Sequence, residues 1–159
     1  MMHNWFECKI RYEKVAENGM NKKVTEPYLV DALSFTEAES RIIEEITPFI
    51  SGEFTVSDIK RANYSEVFFS DEESADKWYK CKLQFITLDE KTGSEKKTAT
   101  NILVQAADLK DAIKKLDEGM KGTLADYESA SVSETAIMDV YPYEADLDVK
   151  PEFIDASNR

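Results

Sequence analysis

The sequence predicts an α+β fold built as a tandem duplication of a β-β-α-β unit, and three observations carry that prediction. First, Trp5-Phe6-Glu7-Cys8-Lys9-Ile10 returns as Trp78-Tyr79-Lys80-Cys81-Lys82-Leu83, an offset of 73. Second, the offset persists with small shifts. It is 74 from Asn18-Gly19 against Thr92-Gly93, through Lys22-Lys23 against Lys96-Lys97 and Leu29-Val30 against Leu103-Val104, to Ala38 against Ala112. It returns to 73 at Glu66-Val67-Phe68 against Asp139-Val140-Tyr141. Both shifts fall at positions read as loops, where insertions are tolerated. Third, the strand signals come as local hairpins, with no strand-helix alternation that would demand a parallel sheet. The expected result is one shared antiparallel sheet or two, with two helices packed on one face and a pseudo-twofold relation between the copies.

Residues 5 to 15 alternate, with Phe6, Cys8, Ile10 and Tyr12 on one face and Trp5, Glu7, Lys9 and Arg11 on the other. That is a half-buried strand. Asn18-Gly19 signals a hairpin whose return strand runs near Lys22 to Val30. Pro27 lacks an N–H and so places that strand at an edge or at a bulge. Ser34 and Glu37 form a capping box for a helix carrying Ala38, Ile42 and Ile46 on one face, stopped by Pro48 and Ser51-Gly52. From Phe54 to Phe69 the chain reads as one long bent strand or two.

The second copy repeats the plan. Tyr79, Cys81, Leu83 and Phe85 form the inward face of its first strand, and the chain turns near Lys91-Thr92-Gly93. It returns through Asn101-Ile102-Leu103-Val104 to an N-cap at Asp108 and a helix striped by Leu109, Ala112, Ile113, Leu116 and Met120. Tyr127 to Tyr141 closes the unit before Pro142. The organisation is therefore a first repeat over 1–70, an acidic linker over 71–77, a second repeat over 78–143 and a loosely held acidic tail over 144–159. At about 75 residues each, the halves sit where a single core is marginal, so they are expected to pack as one globular domain.

The 159 residues, 42% hydrophobic and 11% aromatic, describe a globular chain. The two cysteines occupy equivalent repeat positions and form no Cys-x-x-Cys pair, so free core thiols are expected. The start lacks a basic n-region and an apolar h-region, and no apolar run approaches a membrane span. A cytoplasmic location without membrane contact is expected.

The net charge of −12 is unevenly spread. Residues 1–30 and 77–104, the two hairpins, hold 11 Lys and Arg against 7 Asp and Glu, whereas the rest holds 9 against 25. Trp5, Lys9 and Arg11 share one strand face, and Trp78, Lys80 and Lys82 the equivalent face of the second copy. Rings beside cations on an open sheet could stack bases and pair phosphates, so these six residues form the candidate binding face. The plainer account packs both indoles inside and leaves the lysines as solvated surface. Long-range repulsion of polyanions by so acidic a chain favours the plainer account.

Familiar catalytic chemistry is missing. His3 is the only histidine and lies in a terminus expected to be mobile, which removes histidine triads and histidine metal clusters. The five glycines form no phosphate loop. Acid pairs such as Glu44-Glu45, Glu72-Glu73 and Asp117-Glu118 read as solvated faces, and Asp89-Glu90 lacks calcium-loop spacing. Asp139, beside Tyr141 and Tyr143, and its repeat partner Glu66 are the carboxylates around which a deep pocket would reopen an enzymatic reading.

With its two Trp-aromatic-x-Cys-Lys stretches, its Lys-Lys pairs and its closing Asp139-Val140-Tyr141-Pro142, the chain up to about Tyr143 resembles the domain-of-unknown-function family numbered 4494, typical of anaerobic gut bacteria. The resemblance implies a cytoplasmic bacterial protein and supplies no activity, ligand or catalytic residue. The leading expectation is a non-catalytic binding module without cofactor or metal, acting on a protein partner or on itself. The alternatives are single-stranded nucleic acid binding through the Trp and Lys faces, and an acidic nucleic acid mimic.

Overall fold

Asn18-Gly19 does what its residue types predict. In a computed structural model describing residues 3–143, Gly19 takes φ 80° and the Asn18 side chain accepts the Met20 N–H at 3.0 Å. The turn joins β1 (Trp5–Val15) to β2 (Asn21–Asp31), antiparallel from Trp5 opposite Asp31 to Val15 opposite Asn21. Alternation puts Phe6, Cys8 and Ile10 on one face, where they are fully buried with Val30 and Ala32. Helix α1 (Phe35–Ile46) covers that face with Ala38, Ile42 and Ile46. Ser34 caps it by accepting the Glu37 N–H at 3.1 Å, and Glu37 reaches back one residue beyond the usual capping-box partner to accept the Leu33 N–H at 2.7 Å. After a 3-10 turn at Thr47–Phe49, β3 (Phe54–Ala62) pairs antiparallel with β1 across a register shift at Lys9/Ile10.

The second hairpin repeats this. β5 (Lys77–Leu88) and β6 (Glu95–Ala106) pair antiparallel, and helix α2 (Leu109–Gly119) starts at Asp108, which accepts the Asp111 N–H at 2.9 Å. β7 (Asp126–Glu134) pairs antiparallel with β5 across a register shift at Lys82/Leu83. Cys81, Leu83, Ile102 and Val104 pack with Leu116 of α2 and with Met120, its C-cap. Each helix packs on its own sheet.

Two short strands complete the sheets: β4 (Glu66–Phe68) and β8 (Val140–Tyr141). The sheets run β3-β1-β2-β8 and β4-β6-β5-β7, four strands each. The chain accordingly forms two compact units, residues 3–62 with 137–143, and residues 63–136. The stretch from Phe54 to Phe69 is thus two strands, and so is the stretch from Tyr127 to Tyr141.

Here the expectation of purely antiparallel sheets is corrected. β8 runs parallel to β2, Leu29 opposite Val140, and β4 runs parallel to β6, Val67 opposite Leu103. Hydrophobic periodicity identifies a strand but not its partner, and a parallel partner requires a long crossover. In this chain the connection from β2 to β8 takes in α1, β3 and the whole second unit.

The chain before each hairpin is tied down at equivalent places. Asp31, 1% exposed, accepts the Asn4 N–H at 3.0 Å and bonds His3 Nδ1 at 2.5 Å. His3 is therefore pinned, contrary to the expected mobile terminus, because a buried carboxylate must find donors. At the matching position Gln105 accepts the Ser70 N–H at 2.9 Å and donates to the Ala75 carbonyl at 3.0 Å. Lys115 reinforces this with Glu72 at 2.6 Å, Asp111 at 3.0 Å and the Ser70 hydroxyl at 2.8 Å. Residues 71–77 thus lie ordered within the second unit. After β8, Arg41 donates to the Pro142 carbonyl at 3.1 Å and the Tyr143 hydroxyl donates to Glu37. The tail over 144–159 lies outside the described residues.

Gly119 closes α2 against β4. A Cβ added there would lie 2.5 Å from the Phe68 ring. Alanine normally outranks glycine in a helix by about 1 kcal/mol, but here it must displace a packed aromatic. Gly119→Ala is expected to destabilise by about 1–3 kcal/mol in denaturant melts, and a Phe68→Leu background should recover most of the loss. Unchanged or raised stability in Gly119→Ala would show that this contact yields freely.

Both cysteines are fully buried. Burial, with Glu7, Asp58 and Glu39 adding to it, pushes the Cys8 thiol up to about 12. Burial alone pushes Cys81 up to about 11. A raised pKa keeps the unreactive thiol protonated through neutral pH. A chromogenic disulfide reagent at pH 8 is expected to label neither cysteine in the native protein and both in denaturant, and rapid native labelling of either would contradict this packing.

Candidate functional site

The six candidate residues separate by depth. Trp5 and Trp78 are 3% and 2% exposed, although both stand on the strand face opposite the helices. His3 stacks on Trp5 with ring centroids 5.0 Å apart, and Phe69 meets Trp78 edge-on at 5.7 Å. Neither indole offers a face to a base, so the nucleic acid reading loses its stacking component and keeps only its cations. Of those, Arg11, Lys80 and Lys82 are exposed and Lys9 is half-buried opposite Asp58. Glu7, paired with Lys60 at 3.8 Å, interrupts the positive face further. The Trp5 indole N–H is buried with no acceptor among the described residues.

The carboxylates of interest do not converge. Asp139 is exposed, and its side chain accepts the Val140 N–H at 2.8 Å while its carbonyl accepts the Leu29 N–H at 3.0 Å. Partial desolvation raises its pKa and the Val140 bond opposes that shift. Glu66 lies in the sheet of the other unit, opposite Ile102. Both residues are strand-end pairing positions.

A cluster that sequence reasoning missed surrounds Glu26. Its carboxylate accepts the Tyr12 hydroxyl at 2.8 Å and the Tyr28 hydroxyl at 3.5 Å, and Lys14 approaches to 4.0 Å. Tyr28 stacks on Tyr141 at 6.3 Å. Burial first, then the bond to Glu26, pushes Tyr12 up to about 12. Burial, with Asp139 and Glu45 adding to it, does the same for Tyr141. These hydroxyls stay protonated at neutral pH and act as donors, not bases. Period-2 alternation of Tyr12 with Ile10, and of Glu26 with Tyr28, was the available signal. His3 and Asp31 also pair, but Cys8 and Cys81 both belong to the helix-side cores. No group of three His, Cys, Asp or Glu among the described residues is placed to hold a metal ion. No helix among them is long and apolar enough to cross a membrane.

Two surfaces remain. One is an open groove of about 890 Å³ beside the first hairpin tip, where β3 ends short of β1; Arg11, Tyr12, Lys14, Lys23, Phe49 and Phe54 contribute to it. The other is the outer edge of each hairpin. β8 pairs only with Leu29 and Val30 of the eleven-residue β2, and β4 only with Ile102 to Val104 of the twelve-residue β6. Residues 21–26 and 95–100 therefore lack a neighbouring strand on that side among the described residues.

Fold and surface define an α+β protein of two sheet-and-helix units, each with a hairpin that outruns its neighbouring strand. The sequence model of the family described as Domain of unknown function (DUF4494) matches residues 4–143, and the chain belongs to that family. Comparison with curated proteins and with solved structures returned no match.

Two buried indoles should emit at the blue end of the tryptophan range. Steady-state fluorescence is expected to show that emission, with little quenching by iodide and no response to a mixed-sequence single-stranded oligonucleotide at low salt. Red-shifted emission quenched by the oligonucleotide, and restored as salt rises, would reinstate the stacking platform.

Proposed function

We propose that this chain is a non-catalytic interaction module, working through protein contacts and self-association. The observation that carries the reading is the pair of equivalent hairpin edges left unpaired beyond β4 and β8, since an open edge is a ready template for another chain. Exposed apolar residues at matching hairpin tips, Val15 and Leu88, each 68% exposed, add to it. The titratable groups described above are tied into structural bonds, which favours binding over catalysis.

The same reading holds the two copies to be a tandem duplication that has exchanged its last strands. Register shifts at Lys9/Ile10 and Lys82/Leu83, helix caps at Ser34 and Asp108, and tethers at Asp31 and Gln105 all recur at the sequence offset. Val140 opposite Leu29 and Val67 opposite Leu103 recur at it too.

Sedimentation velocity from about 1 μM to 1 mM, the range in which modest interfaces populate, is expected to show concentration-dependent association. A protein that stays monomeric throughout, and enriches no partner from cell extract, would remove the reading.

A further inference from the structure

The direction of the main-chain groups along β2 can be read from the bonds already made. The Met138 N–H donates to the Pro27 carbonyl, and the Leu29 N–H donates to the Asp139 carbonyl, so residues 27 and 29 face away from β1. Alternation gives Thr25 and Lys23 the same outward direction, and no strand among the described residues lies beside them. The absent N–H of Pro27 points outward as well, so it costs no bond to β1. Thr25 and Lys23 thus present two N–H donors and two carbonyls in strand register.

Charge selects what could add there. Lys14 and Lys22 are directly opposed across β1 and β2, a like-charge pair that destabilises the hairpin tip. Lys14 finds Glu26 only at 4.0 Å with a side chain 59% exposed. Lys23 adds a third cation on the opposite sheet face, where it stands opposite Glu13, and Lys14 and Lys23 line the groove beside the tip together with Glu13 and Glu53. In the second unit the equivalent Lys97 is already answered by Glu128 at 3.0 Å, and Lys96 faces Thr87. The edge with the looser charge pairing belongs to the first hairpin, where Lys22 faces another lysine.

We propose that the β2 edge over residues 21–26 binds an extended acidic peptide segment of a partner by strand addition. The main chain of Lys23 and Thr25 pairs with the peptide, and its carboxylates answer Lys14, Lys22 and Lys23. The inference rests on the reading of the chain as an interaction module and names the partner chemistry at one edge.

The test uses the full chain and a blocked nonapeptide (Glu-Glu-Val)3, with (Lys-Lys-Val)3 as control. Amide spectra of 15N-labelled protein are expected to shift at Lys23 and Thr25 with the acidic peptide only. Thr25→Pro removes one outward donor and no bond to β1, so it should keep the native spectrum and weaken binding about tenfold. Lys22→Glu with Lys23→Glu should weaken it at least as much, while Ala99→Pro, the matching change in β6, should leave affinity within about twofold. If Thr25→Pro fails to fold, slowed hydrogen exchange at the wild-type Thr25 and Lys23 amides on adding peptide decides in its place.

Equal binding by Thr25→Pro, shifts confined to another surface, or no binding at millimolar peptide would overturn the proposal. So would a concentration-dependent dimer that Thr25→Pro abolishes, because the edge would then belong to a second copy. Loss of peptide binding with self-association intact sinks the edge assignment alone. Loss of both sinks the interaction module too.

Discussion

The architecture depends on a main-chain obligation at the buried ends of two strands. In β2 the outer residues are exposed and the last three, Leu29 to Asp31, are buried; in β6 burial is concentrated at Ile102 to Val104. A donor or carbonyl at an exposed edge is satisfied by water, but one at Leu29 or Leu103 is not, and leaving it unpaired costs about 1–3 kcal/mol. β8 and β4 cover these buried positions and little more. Their two- and three-residue lengths follow from where water stops reaching the edge. That requirement forces the chain to cross between units at 62/63 and again at 136/137.

Much of the local structure was legible because local physics decides it. Asn18-Gly19, the Ser34 and Asp108 caps and the alternation of Phe6, Cys8 and Ile10 each rest on a mechanism spanning a few residues. The residues of 54–69 do not say whether they form one strand or two, nor do they carry the parallel partners. Val67 and Val140 look like ordinary strand residues, and nothing nearby says that their neighbours are Leu103 and Leu29. The candidate face was partly legible: alternation places Trp5 and Trp78 away from the helices, but it cannot say whether that second face is dry. The Glu26 cluster escaped for a related reason, since Tyr141 reaches it on a strand whose pairing with β2 the sequence does not give.

The two units solve equivalent problems with different chemistry. At the end of β2 a carboxylate, Asp31, holds the chain before β1 through His3 and Asn4. At the end of β6 a neutral amide, Gln105, holds the chain before β5 through Ser70 and Ala75. An amide both donates and accepts, so it can clamp a carbonyl and an N–H at once; a carboxylate needs donors alone and gets them from an imidazole and an amide N–H. Charge differs in the same way at the hairpin tips. Lys97 pairs with Glu128, while among the described residues Lys14 approaches Glu26 and Lys23 stands opposite Glu13. Similar backbones therefore carry unlike edges.

The path of the chain also orders events during synthesis. Residues 63–136 form a contiguous unit that includes β4, so that sheet can close as soon as its own residues have left the ribosome. The first unit is discontinuous: β1, β2 and β3 are made first, yet the buried end of β2 waits for Val140. At roughly 5–20 residues per second, the 79 residues separating Ala62 from Tyr141 take roughly 4–16 s to translate. Throughout that interval the nascent first sheet has its whole β2 flank open. The older half of the molecule is thus the last to finish, and a shielding factor acting on this chain would be needed at its beginning more than at its end.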